Sequence, residues 1–74
     1  MPDELNMTKG EKLKFLREER LDITQEEARE ILGIAKYSLV QIEQGKIDIS
    51  DAYFDKLVEK YETEIEASRL TQTT

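Results

Sequence analysis

Residues 24–46 read TQEEAREILGIAKYSLVQIEQGK. Thr24 stands three residues before Glu27, the spacing of a capping box, in which a hydroxyl caps one orphan amide and a carboxylate reaches back to another. The apolar residues that follow are Ala28, Leu32, Ile34, Leu39 and Ile42. They lie five and one residues before Gly33, then one, six and nine after it. Gly33 can turn left-handed without steric cost. The pattern therefore predicts a helix over about Gln25 to Leu32, a stop at Gly33, and a second helix over about Lys36 to Gln44, ended by Gly45. Two helices joined so tightly must cross steeply, and the five apolar side chains fill the crossing. The opposite face of the second helix then projects Lys36, Tyr37, Ser38 and Gln41 along one ridge.

The flanks continue the helical theme. Thr8 with Glu11 repeats the capping box and opens a first helix through Arg20, with Leu13 and Leu16 inward. Leu21-Asp22-Ile23 links it to Thr24. Ser50 caps a later helix, with Ile49 and Phe54 at the two positions of a hydrophobic staple. Phe54, Leu57, Val58, Tyr61 and Ile65 fall at steps of three and four, a continuous apolar stripe that favours one long helix. Thr63 with Glu66 is a third capping-box match and would instead start a short fifth helix. With one proline, three glycines and no strand-like alternation, the fold expected is all-α. It is a compact bundle of four to five helices in a single domain, residues 1–74. The core bundle covers 8–61; residues 62–74 form a C-terminal helical extension and a frayed tail, TQTT.

Composition narrows the function. A chain of 74 residues is one domain near the lower limit for folding without staples. It has neither cysteine nor histidine, which removes disulfides, thiolate and imidazole metal sites, and Ser-His or Cys-His nucleophiles. Glu18, Glu19, Glu26, Glu27 and Glu30 read as a solvated face, since a cation site needs ligands converging from several elements. So small a helical bundle has little room for a substrate cleft. No catalytic residue, metal, cofactor or small-molecule substrate is expected. No apolar run approaches a membrane span, and MPDELNMTKG lacks the layout of a secretory signal, so the expected location is cytoplasmic. Formal net charge is −6, divided as −3 over residues 1–32, zero over 33–50 and −3 over 51–74. The acidity flanks the central stretch and leaves it neutral.

Taken together, LREER (16–20) and TQEEAREILGIAKYSLVQIEQGK resemble the helix-turn-helix of the Cro and phage-repressor class. This is the lambda-repressor-like fold shared with xenobiotic-response-element-like regulators, and the resemblance runs from about Leu13 to Leu57. It implies a sequence-specific transcriptional regulator, a repressor of the small kind found in phages, mobile elements and bacterial chromosomes. Such a protein binds double-stranded DNA as a homodimer on a pseudo-palindromic operator. By the same resemblance Lys36, Tyr37, Ser38 and Gln41 contact base edges in the major groove. Gln25, Gln44 and Lys46, with the amides around Gly45, contact phosphates. Arg17 and Glu43 form an internal ion pair between the first and third helices. Ile65 and Leu70, beyond the compact bundle, are candidates for a dimer seam.

Three positions depart from the family pattern. Arg29 replaces an alanine where two helices approach, and must snorkel outward or tilt them apart. Ala35 replaces a Ser or Thr cap, a loss of about 1 kcal/mol. The link Leu21-Asp22-Ile23 before Thr24 is one residue longer than the usual one, an insertion that loops absorb readily. The acidic flanks and the segment from Ile65 to Leu70 motivate an alternative, a protein-interaction module on the same scaffold, such as an antitoxin or antirepressor.

Overall fold

The computed structural model describes residues 7–72, with side chains through Arg69. Thr8 opens α1 (Lys9–Phe15) through the expected capping box. Its hydroxyl accepts the Glu11 amide at 3.2 Å, and the Glu11 carboxylate accepts the Thr8 amide at 3.0 Å. Beyond Phe15 the helix widens into a π-helical segment, Leu16–Leu21. It ends at Asp22, which turns left-handed with φ 53°. Asp22 and Ile23 both donate their amides to the Arg17 carbonyl. The surplus residue of the link thus sits inside the first helix rather than in a loop. An i→i+5 ring holds one residue more than the α ring, so the widened turn absorbs it.

The second capping box forms as read: Thr24 Oγ1 accepts the Glu27 amide at 3.2 Å, and Glu27 Oε1 accepts the Thr24 amide at 3.0 Å. It starts α2 (Gln25–Leu32), which stops at Gly33 with φ 73°. Next comes α3 (Lys36–Glu43), one residue shorter than expected, with Gln44 in the C-cap position. Ala35 precedes it with extended backbone and no side-chain cap. Ser50 Oγ accepts the Tyr53 amide at 3.1 Å and begins α4 (Asp51–Gln72), 22 residues without a break. Thr63 therefore caps nothing. Its hydroxyl donates to the Glu59 carbonyl at 2.9 Å, the i−4 bond of a threonine within a helix. The apolar stripe through that point outweighs the local signal. Among the described residues there are four helices and no strand.

The core is the predicted one. Leu13, Ala28, Leu39 and Tyr61 are fully buried, with Leu16, Leu32, Ile42 and Leu57 nearly so. Ile34, Ile49, Phe54, Val58 and Ile65 pack around them, half-buried, together with Leu21, Ile23 and Ile31. Burial of each large aliphatic side chain is worth about 1.5–3 kcal/mol, the main favourable contribution in a chain of this size. Polar contacts fix how α4 sits. Lys9 Nζ donates to the Ile49 carbonyl at 2.6 Å and pairs with Asp51 at 2.9 Å, joining the starts of α1 and α4. Lys60 Nζ donates to the Leu32 carbonyl at 3.0 Å, closing the end of α2 from α4.

Gly10 is buried in the first turn of α1, against the end of α3. A Cβ built there would overlap the Ile42 carbonyl oxygen and lie 3.1 Å from the Ile42 carbonyl carbon and 3.2 Å from the Glu43 Cα. All three are backbone atoms and cannot swing away. We expect Gly10→Ala to destabilise the protein by about 1–2 kcal/mol, because overpacking against backbone, at the upper end of the usual range of about 1–3 kcal/mol, exceeds the roughly 1 kcal/mol gained in helix propensity. Urea unfolding should show a lower midpoint; an unchanged or higher one would refute the close approach.

Two carboxylates set part of the acid sensitivity. Backbone and side-chain hydrogen bonds from Thr8 lower the Glu11 pKa below its ordinary 4.5, and the hydrogen bond from Lys9 lowers that of Asp51 below 3.8. Both pKa values are depressed in the folded state. Their stabilisation is therefore complete above the unfolded values and is lost as pH falls through the folded ones. In pH titrations of stability, Glu11→Gln and Asp51→Asn should each flatten the decline below about pH 4.5.

Candidate nucleic-acid interface

The turn between α2 and α3 is built by backbone geometry. Gly33 and Ile34 both donate amides to the Arg29 carbonyl, at 2.8 and 3.2 Å, and the chain then extends through Ala35 into α3. Leu39, Ile42 and Glu43 form the buried side of α3. At 100° per residue the centre of the opposite side falls on Tyr37, Gln41 and Gln44, with Ser38 at one edge, while Lys36 projects near the direction of Glu43 at the start of the helix. Accessibility follows that geometry. Tyr37 is 73% exposed, Lys36 and Gln44 are exposed, and Ser38 and Gln41 are half-buried. After Gly45 the Lys46 amide donates to the Gln41 carbonyl at 2.9 Å, which places Lys46, exposed, at the end of the same ridge. Among the described residues no hydrogen bond or ion pair engages the side chains of Lys36, Tyr37, Ser38, Gln41, Gln44 or Lys46.

Behind this face lies the ion pair expected from the resemblance. Arg17 donates Nε to Glu43 Oε2 at 2.8 Å and Nη2 to Glu43 Oε1 at 3.0 Å, a bidentate fork between two buried side chains. Its Nη1 donates to the Ile23 carbonyl at 3.1 Å, and Glu18 approaches Nη2 at 3.5 Å. The hydrogen bonding to Glu43 outweighs desolvation and raises the Arg17 pKa, so the guanidinium stays charged. Tyr61 is buried nearby; burial first, then the Glu43 charge, pushes its phenol above the ordinary range.

Gln25 joins the same network. Its Nε2 donates to Glu43 Oε1 at 3.0 Å, so the side chain read from the sequence as a phosphate ligand is held against the ion pair. A primary amide has two hydrogens, and one remains for a second acceptor. Gln25 and Gln44 share a cleft at the start of α2 with Lys14, Arg17 and Thr24.

With this arrangement of α2, turn and α3, a family model described as helix-turn-helix matches residues 13–67. The chain belongs to the Cro and repressor-type helix-turn-helix family. No curated protein and no solved structure matches it. Its family is one of DNA-binding regulators, and the helix-turn-helix is its DNA-binding element.

Within this helix-turn-helix, Arg29 resolves its departure by snorkelling: the guanidinium turns to Glu26 at 3.1 Å and stays partly exposed. Two residues beside this face escaped the sequence reading. Lys14 lies three residues before Arg17, the spacing that shares a helix face, and its exposed side chain lines the cleft with Gln25 and Gln44. Val40 is half-buried on α3 between the directions of Lys36 and Tyr37; a core assignment by residue type conceals it. Of the dimer candidates, Ile65 packs half-buried against the core, and the side chain of Leu70 lies outside the described residues.

The buried pair generates a test. Arg17→Met or Glu43→Leu alone should cost about 3–5 kcal/mol, because each leaves a buried charge without its partner. Arg17→Met with Glu43→Leu should cost less than the sum of the singles. A double-mutant cycle in urea that proves additive would show that the two side chains do not act as a pair.

Proposed function

We propose that this protein is a sequence-specific transcriptional regulator, a repressor, that binds a pseudo-palindromic DNA operator as a homodimer in the cytoplasm and catalyses no reaction. The observation that carries the reading is the outer face of α3, a run of polar side chains without intramolecular engagement on a helix held from behind by Leu39, Ile42 and Glu43. A helix of this size enters the major groove, where Gln pairs with adenine and Lys with guanine. In this reading Lys36, Tyr37, Ser38 and Gln41 meet base edges, and Val40 offers a methyl contact to thymine. Gln25, Gln44 and Lys46 hold phosphates, joined by Lys14.

A single module makes few base contacts, which favours a dimer on half-sites about 34 Å apart. The seam is assigned to the far end of α4, around Ile65 and Leu70. The excess of acids lowers affinity for arbitrary DNA and shifts the burden to base readout, because few cations face phosphates. Occupancy of the operator then excludes polymerase sterically.

The test is selection from a random duplex library with the full chain at moderate salt, which should enrich two inverted half-sites. On the selected site, Gln41→Ala should relax preference at one base pair, by about 1–3 kcal/mol of discrimination. Lys46→Ala should weaken binding to all sequences alike and reduce the salt slope by about one. Equal loss of discrimination from both variants would overturn this division of roles.

A further inference from the structure

Away from the α3 face, the last turns of α4 overhang α2 and the link that precedes it, and a groove runs between them. Its apolar floor comes from Leu21 and Ile23 of the link and Ile31 of α2, all half-buried side chains already packed on the core. Carboxylates line both walls, Glu27 and Glu30 on α2 and Glu64 on α4. Glu27 holds its capping contacts with Thr24 through Oε1. Glu30 and Glu64 make no hydrogen bond or ion pair among the described residues. None of the groove residues belongs to the proposed DNA contacts.

We infer that this groove is a docking site for a basic, amphipathic segment of another protein. Such a segment would place aliphatic side chains on Leu21, Ile23 and Ile31, with Lys or Arg on either side toward Glu30 and Glu64. Charge complementarity selects this occupant. Carboxylates on opposite walls repel one another across an apolar floor, and a cationic ligand relieves that repulsion as its apolar side chains leave water. A second copy docked by two-fold symmetry would set Glu27, Glu30 and Glu64 against themselves, which costs free energy. Nucleic acid and anionic lipid are repelled for the same reason. Residues 1–6, MPDELN, and 70–74, LTQTT, contain no Lys or Arg, so neither segment supplies the cations. The inference does not depend on the assigned base and phosphate contacts, since the groove and the α3 face share no residue; its α4 wall does adjoin the seam assigned around Ile65 and Leu70.

The experiment is selection of random 16-residue peptides displayed on phage against the full chain, with synthetic copies of the enriched peptides then measured by surface plasmon resonance. Peptides combining aliphatic residues with Lys or Arg should be enriched. Two further variants then locate the site. Glu30→Gln with Glu64→Gln should slow association several-fold and reduce its salt dependence, as loss of rim charge does. Ser68→Trp, an exposed position on the α4 wall, should block the groove and weaken binding about tenfold or more without touching the core. Asp55→Gln with Glu59→Gln, the same charge change outside the groove, should leave binding near that of the parent. No enrichment, enrichment of acidic or uncharged peptides, or equal loss from both pairs of Gln variants would each overturn the assignment. So would a change of oligomeric state as the sole effect of Ser68→Trp. Failure of the operator selection alone would leave these readouts unaffected.

Discussion

Arg17 and Glu43 hold the helix-turn-helix to the rest of the bundle. The guanidinium leaves the π segment after α1, grips the last turn of α3 through two bonds and reaches the link carbonyl of Ile23 through a third. Glu43 is also the acceptor for Gln25 at the start of α2. One buried carboxylate thus joins α3 to two earlier segments, the π turn at Arg17 and the start of α2 at Gln25. A carboxylate in the last turn of a helix opposes the helix dipole, so its position makes physical sense only with the Arg17 fork beside it. The pair gives little net stability against an apolar substitute of the same volume. What it contributes is one specific arrangement of α2 and α3, the property a DNA-reading element needs.

Around that clamp the packing leaves few alternatives. Gly10 allows α1 to lie against the end of α3 with backbone on backbone, and any side chain there would separate them. Lys60 completes the end of α2 from α4, while Lys9 ties the start of α4 to α1. The widened turn at Leu16–Leu21 belongs to the same set of constraints. With one residue more in the link, an unbroken α-helix would rotate its later side chains by about 100° relative to the bundle. The π turn takes up the extra residue while Leu13 and Leu16 stay in the core and Arg17 faces Glu43.

Net charge and local chemistry answer different questions here. The sum of −6 averages over α2, α4 and the termini, whereas the α3 face and its edges carry Lys36, Lys46 and Lys14 beside two acids, Glu43 and Glu18, both of which approach Arg17. Among the described residues, the acids without an ion pair include Glu30 and Glu64, on the walls of a groove elsewhere on the molecule. The α3 face and this groove share no residue.

The sequence by itself determined the helices, their starts and the core. Capping boxes at Thr8 and Thr24, the left-handed turn at Gly33 and the stripe from Phe54 to Ile65 are local features, each set by neighbours within a few residues. The exposed ridge of α3 was legible for the same reason, since periodicity alone separates Tyr37 and Gln41 from Leu39 and Ile42. Arg17 with Glu43 was legible only through the resemblance, because nothing local links positions 26 residues apart. Tertiary structure decided the rest. It continued α4 through the capping signal at Thr63, because an apolar stripe buried against the bundle outweighs one local cap. It turned Gln25 toward Glu43 and brought Lys14 beside Gln25 and Gln44. It also made Gly10 a contact residue and formed the acidic groove under α4. Each of these depends on where a distant helix comes to rest, and the distance between two helix surfaces is not written in the pattern of either one.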